Sequence, residues 1–136
     1  MSRAFLTVCL LIAPFRVMAE SPDTLATDLK QTCAERELVP GATATCVESK
    51  DTLYGARLAE TYAALKESLP PEQRTRLIEG QSAWLSYVKP TCALVEWSTR
   101  PESPSWALVN RATCNLAHTL RRLEELDRLK DITDGR

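Results

Sequence analysis

The sequence lacks the residue patterns on which most catalytic and metal sites depend. His118 is the only histidine among the 136 residues. Neither a GxSxG nucleophile motif nor an HExxH zinc motif occurs, and no two cysteines have the CxxC spacing of redox and zinc sites. A general base at His118 would need converging partners that no motif supplies. We therefore expect a protein that binds a partner and is not an enzyme, with no cofactor and no metal ion.

Several other classes of protein are excluded by what the chain has little of. After its N-terminus, no apolar run approaches the roughly 20 residues of a transmembrane helix. Strand-type alternation, internal repeats and low-complexity segments are also missing. The 17 basic residues face 18 acidic ones, so the sequence offers no basic excess for nucleic acid. This charge balance permits a basic protein partner without demanding one.

The N-terminus has the layout of a secretory signal peptide. Arg3 precedes an apolar stretch over residues 4–15, and Val17-Met18-Ala19 places small residues at a cleavage site. Arg16 is the one departure from the pattern, and an uncleaved anchor is the alternative. Cys9 lies inside the apolar stretch and would be removed with it.

Cleavage after Ala19 would leave a single domain, residues 20–136, in the periplasm without a membrane anchor. Because both arginines of the leader would be removed, 15 basic side chains would face 18 acidic ones. Four cysteines would remain, and an even number in a short exported chain indicates a disulfide framework. They are Cys33, Cys46, Cys92 and Cys114. Three pairings are possible, and pairing of sequence neighbours, Cys33–Cys46 and Cys92–Cys114, is the simplest.

Apolar residues recur at helical spacing along most of the chain. The pattern predicts helices over residues 24–34, 45–68, 71–88 and 105–126. Prolines and glycine separate them, with Val39-Pro40-Gly41 ending the first helix and Pro90 ending the third. We expect an all-α antiparallel bundle of three to four helices, stapled by two disulfides. The predicted inner faces include Leu53, Tyr54, Leu58, Tyr62, Leu65 and Leu69, then Leu77, Gln81, Trp84 and Val88, then Val109, Ala112, Leu116, Leu120, Leu123 and Leu126.

An ordered set of residues in the second half of the chain resembles a known family. The set is Tyr62, Leu77, Gln81-x-x-Trp84-x-x-Tyr87, Cys92, Cys114 and Thr119-x-x-Arg122-x-x-Glu125-Leu126. It is similar to the small exported domain of the LprI-type lysozyme-inhibitor family, which is also labelled a domain of unknown function. The resemblance covers about residues 33–126, including the upstream pair Cys33 and Cys46. It implies an envelope protein, in at least one case an inhibitor of lysozyme.

One position departs from the family pattern. After the aromatic at Tyr87 the family usually has an Arg-Asp pair, whereas this chain has Val88 and Lys89. If that pair contacts the partner, the partner has changed or been lost here. If the pair forms an internal salt bridge, Val88 can pack in its place.

Two groups of residues are candidates for partner contact. Gln81, Trp84 and Tyr87 share one side of a helix, where a carbohydrate or protein could stack, although core packing is the better interpretation. Thr119, Arg122 and Glu125 are expected to form a structural polar cluster.

The second group lies on the loop predicted over residues 93–104 and consists of Trp97, Arg100, Glu102 and Trp106. A tethered loop loses less entropy on binding, and Trp and Arg are enriched at interface hot spots.

The expected function is that of a periplasmic, lysozyme-inhibitor-like protein that occludes the cleft of a cell-wall glycoside hydrolase. Arg100 would face the two catalytic carboxylates of that hydrolase, and Trp97 would pack on the cleft wall. Alternatively, Trp97 and Trp106 cap the open end of the bundle. The alternative function is a structural or accessory envelope protein, or a toxin-immunity protein, that binds another protein without inhibiting lysozyme.

Overall fold

Four α-helices account for nearly all of the described chain. The computed structural model describes residues 20–37, 39–98 and 104–135, apart from the side chains of Trp97, Ser98 and Ser105. The predicted signal peptide lies outside these residues. The helices are α1 (Pro22–Glu37), α2 (Pro40–Ser68), α3 (Pro71–Ser98) and α4 (Pro104–Thr133), and no strand occurs in the described ranges. The predicted all-α class is confirmed.

Side-chain contacts define how the helices run relative to one another. Thr119 of α4 donates a hydrogen bond to Asp51 of α2, and further along both helices Thr61 donates to Asp127. Because both residue numbers rise together, α2 and α4 are parallel. The other two helices run antiparallel to α4. Gln81 of α3 contacts Arg122 whereas Cys92, later in α3, is bonded to Cys114, so the residue numbers of α4 fall as those of α3 rise. Near the start of α1, Asp23 pairs with Arg121, whereas Cys33 near its end is bonded to Cys46 at the start of α2.

The core has two parts, and α4 contributes to both. The stripe predicted for α4 is confirmed, because all six of its members are buried. One part joins α1, α2 and α4 through Ala26, Cys33, Val47, Ala112, Leu116, Ala117 and Leu120. The other joins α2, α3 and α4 through Leu58, Leu65, Leu77, Leu123 and Leu126. The fourth helix is therefore the scaffold on which the other three are arranged.

Both predicted disulfides are present. Cys33–Cys46 joins α1 to α2, and Cys92–Cys114 joins α3 to α4, with Cα–Cα distances of 5.8 and 5.5 Å. Each bond closes a loop whose cross-linking is worth about 3 kcal/mol in the chain-entropy model. The disulfides thus link α1 to α2 and α3 to α4, whereas α2 and α3 meet through the second part of the core.

Two prolines act differently from the prediction. The sequence predicts that Pro40 ends the first helix, but Pro40 is instead the first residue of α2. A proline is tolerated in the first turn because it lacks only an N–H that would have no partner there. Pro90 lies inside α3, which continues to Ser98. A proline in a helix interior costs about 3 kcal/mol. Beyond it, the Cys92 disulfide and an ion pair from Glu96 to Arg111 hold the chain against α4.

The remaining boundaries also differ from prediction. The first helix is longer than residues 24–34, and α4 does not end at Leu126 but continues to Thr133. The predicted loop over residues 93–104 is mostly helix, which leaves only residues 99–103 between α3 and α4. Leu53 was placed on the inner face of α2, yet it is 59% exposed. The inner face of α2 instead starts at Thr43, Ala44 and Val47.

No helix in the described part of the chain combines the length and the hydropathy that a membrane span requires.

Candidate partner-binding site

The end of α3 and the start of α4 form a helical hairpin that is braced in two places. The Cys92–Cys114 disulfide links the two helices. Cys92 lies six residues before Ser98, the last residue of α3, which is a distance of roughly 9 Å along the helix axis. Between the disulfide and the end of α3, Arg111 Nη1 donates to Glu96 Oε2 at 3.1 Å, and the glutamate side chain is only 18% exposed. The hairpin is therefore preorganised before any partner arrives.

Apolar side chains are exposed at the end of this hairpin. We call residues 93–98 of α3 and 104–108 of α4 the hairpin tip. Leu94 is 72% exposed, and Trp106 and Leu108 are each 39% exposed. Large apolar side chains that remain in water are suited to contact a partner, and Trp is enriched at hot spots. The other predicted contact residues, Arg100 and Glu102, lie outside the described residues, as does the side chain of Trp97.

The aromatic and apolar residues of the family pattern pack inside the bundle. Leu77 and Leu126 are buried in the second core part, and Tyr62 and Trp84 are half-buried against it. Trp84 is thus placed as core packing predicts. Tyr87 is more exposed, at 57%, and its ring meets the His118 imidazole edge to face with centroids 5.6 Å apart. Apart from Tyr87, these residues therefore stabilise the fold and leave little surface for a partner.

The polar residues of the same pattern form two separate bridges. Arg122 Nε donates to Gln81 Oε1 at 3.0 Å, and Arg122 Nη1 donates to Glu125 Oε2 at 3.0 Å. Thr119 does not join this cluster, contrary to prediction. Its buried hydroxyl donates to Asp51 Oδ1 at 2.6 Å instead. One bridge therefore joins α3 to α4, and the other joins α2 to α4.

Sequence reasoning missed Asp51, although the spacing contained a signal. Val47, Asp51 and Tyr54 follow one another at four and three residues, which places the carboxylate on the inner face of α2. Burial raises the pKa of Asp51 above its ordinary value, the Thr119 hydroxyl opposes this shift, and the nearby charge of Glu48 adds to it. Burial thus destabilises the charged form of this half-buried carboxylate, and the hydrogen bond from Thr119 offsets part of that destabilisation.

His118 lies beside the second disulfide. One ligand atom from each of Cys92, Cys114 and His118 falls within 4.8 Å of the other two. Burial and the charge of Arg121 lower the pKa of His118, while Asp23 opposes them. The imidazole is therefore biased towards its neutral form.

The two residues that depart from the family pattern line a cleft between α2, α3 and α4. The cleft has a volume of about 710 Å³, within the range of small-molecule sites. Its lining consists of Glu48, Trp84, Leu85, Val88, Lys89, Ala93, Arg111 and Asn115. Val88 is half-buried and Lys89 is exposed. Val88 and Lys89 therefore belong to a concave surface next to the hairpin tip.

Comparison with models of known protein families identifies a match over most of the chain. A model of the family described as lysozyme inhibitor LprI matches residues 33–126, which is more than half of the chain and includes all four disulfide cysteines. No curated protein and no solved structure matches.

Proposed function

Because the chain belongs to the lysozyme inhibitor LprI family, we propose that it is a periplasmic inhibitor that occludes the cleft of a lysozyme or a related cell-wall glycoside hydrolase. The observation that carries the proposal is the family match over residues 33–126. The two disulfides support an exported protein, because such bonds persist in oxidising compartments.

The hairpin tip is the surface that we propose for contact with the hydrolase. Its bracing by the Cys92–Cys114 disulfide and the Glu96–Arg111 ion pair reduces the entropy lost on binding. Leu94 and Trp106 supply exposed apolar area. The narrow end of a two-helix hairpin also has a shape that can enter a cleft, which a flat helix face cannot do.

Arg100 would provide the electrostatic part of the contact. It occupies the segment between the two helices of the tip, and a glycoside hydrolase presents two carboxylates beside its scissile bond. A guanidinium between them would form charge-assisted hydrogen bonds. Trp97 and Trp106 would pack on the walls of the cleft.

Titration of the oxidised protein, residues 20–136, against a panel of lysozymes tests the proposal. Cell-wall lysis and calorimetry should show inhibition with one-to-one stoichiometry. Arg100→Ala should weaken inhibition at least about thirtyfold, which corresponds to the roughly 2 kcal/mol that defines a hot spot. Arg76→Ala is the matched control, because Arg76 is 75% exposed on α3 and far from the tip. Equal inhibition by both variants would contradict the role of Arg100, and inhibition of no lysozyme would contradict the inhibitor proposal.

The cleft beside Val88 and Lys89 favours a second candidate function. A cleft altered relative to the family pattern fits an accessory or toxin-immunity protein that binds a different protein partner. Under this alternative, no lysozyme is inhibited, and replacement of Val88-Lys89 by Arg-Asp restores binding to one. Inhibition by the unaltered chain would rule the alternative out.

A further inference from the structure

A soft-ligand cluster surrounds the disulfide that braces the hairpin. Cys114 and His118 are four residues apart on α4 and so project from the same face of the helix. Cys92 reaches the same place from α3, where it is only 1% exposed. The two sulfurs and one imidazole nitrogen lie within 4.8 Å of one another. Thiolate and imidazole are the ligands that zinc prefers.

The three donor atoms lie within reach of one metal ion, with the two sulfurs bonded at 2.05 Å and no two donors farther apart than 4.8 Å. With Zn–S bonds of about 2.3 Å and Zn–N bonds of about 2.0–2.1 Å, tetrahedral geometry places the donor atoms about 3.5–3.8 Å apart. Once the covalent bond between the sulfurs is broken, the sulfurs must move apart from 2.05 Å to this spacing, a change of about 1.7 Å that is within the reach of side-chain rotation. Cys114 and His118 are half-exposed, which leaves a path for the ion and a fourth position for water.

We propose that Cys92, Cys114 and His118 form a redox-gated zinc site, closed while the disulfide is intact and open once a dithiol has reduced it. In the first step the dithiol is oxidised to its own disulfide, and Cys92 and Cys114 become thiols. In the second step Zn²⁺ binds both sulfurs and the imidazole nitrogen, and two protons are released. The ion then replaces the disulfide as the link between α3 and α4.

The same chain contains an internal control. The Cys33–Cys46 pair is also a disulfide between two helices. Within the described residues, neither of its cysteines belongs to a group of three close metal-binding side chains. Reduction of this pair should therefore create two thiols without a third ligand. Any zinc site that depends on His118 must be located at the Cys92–Cys114 end.

Spectroscopic titration with Co²⁺, a substitute for Zn²⁺, tests the proposal. Protein reduced with a dithiol and then freed of it under anaerobic conditions should bind one Co²⁺ per chain. Thiolate-to-cobalt charge-transfer and tetrahedral ligand-field bands should appear, and Zn²⁺ should displace the cobalt. The oxidised protein should give no such bands. Their absence from the reduced protein would overturn the proposal.

Variants identify the ligands. His118→Gln should weaken binding at least about tenfold, since loss of an outer-shell partner alone costs 10–100-fold. Cys92→Ser with Cys114→Ser should abolish the charge-transfer bands, whereas Cys33→Ser with Cys46→Ser should keep them. Affinity unchanged by His118→Gln, or bands lost only in the Cys33/Cys46 variant, would contradict the assignment. If reduction diminishes the helical circular dichroism, one equivalent of Zn²⁺ must restore it, and failure to do so also overturns the proposal.

Discussion

Arg122 on α4 donates its Nε–H to Gln81 on α3 at 3.0 Å, and its guanidinium also pairs with Glu125. The arginine side chain is only 13% exposed, whereas Glu125 is 57% exposed. Gln81, Arg122 and Glu125 all belong to the set of residues that identifies the family. Their contacts are internal, so in this chain these three residues hold α3 against α4.

Loss of the Arg122 bridge should destabilise the bundle without changing the partner surface. Arg122→Ala should lower the free energy of unfolding by about 1.5–3 kcal/mol, the usual effect of losing hydrogen bonds that involve a charged group. Arg76→Ala should change it by less than about 0.5 kcal/mol, because its Glu72 pair is fully solvated. Urea denaturation measures both. Equal effects would contradict a structural role for Arg122.

Asp51 should make stability depend on pH in a definite direction. Its pKa is raised in the folded state, chiefly by burial. The contribution of Asp51 to the free energy of unfolding is therefore fully favourable below its pKa in the unfolded chain, about 3.9. This contribution is lost as the pH rises through the pKa of Asp51 in the folded protein. At pH 7 the charged carboxylate reduces stability.

Asp51→Asn removes this dependence, because the amide oxygen still accepts the hydrogen bond from Thr119 and carries no charge. We expect its melting temperature to exceed that of the wild type at pH 7, and the difference to shrink towards pH 3. Thr119→Val, which removes the hydroxyl donor, should instead destabilise the protein at pH 7 by about 1–3 kcal/mol. Parallel melting curves for wild type and Asp51→Asn at every pH would contradict this account.

Apolar spacing was sufficient to predict the core of α4 but insufficient to predict where the helices end. Leu116 and Leu126 belong to one long stripe, and apolar residues that recur at helical spacing over such a length predict a helix with one buried face. Pro90 illustrates the limit, because whether a proline ends a helix depends on tertiary contacts beyond it. Here the disulfide at Cys92 and the ion pair at Glu96 supply those contacts, and neither is visible in the local sequence.

The polar bridges were harder to predict for a related reason. A cluster of Thr119, Arg122 and Glu125 was expected, since all three share α4. Hydrogen bonds between helices depend on rotation and register, which spacing along one helix does not determine. Consequently only the structure shows that Arg122 pairs with Gln81 and that Thr119 pairs with Asp51.

The central position of α4 predicts an asymmetry among its leucines. Leu116 is fully buried between α1 and α2, whereas Leu129 is 45% exposed on the same helix. Leu116→Ala should cost about 2–5 kcal/mol of stability, the range for buried leucines. Leu129→Ala should cost less than about 0.5 kcal/mol. Chemical denaturation of the two variants checks this, and a similar cost at both positions would mean that α4 is not the scaffold.

The two disulfides should have similar effects on stability and different effects on binding. They close loops with sequence separations of 13 and 22 residues, so removal of either pair should lower the free energy of unfolding by about 3 kcal/mol. Of the two disulfides, only Cys92–Cys114 braces the hairpin tip. Under the proposed function, Cys92→Ala with Cys114→Ala should weaken hydrolase binding about tenfold or more, measured at a temperature at which circular dichroism shows both variants to be folded. Cys33→Ala with Cys46→Ala should leave it unchanged.

Calorimetry of the two double variants separates a general loss of stability from a loss of preorganisation, because a tip that binds through a rigid shape needs only its own brace. Equal binding by both variants would place the contact surface elsewhere on the bundle.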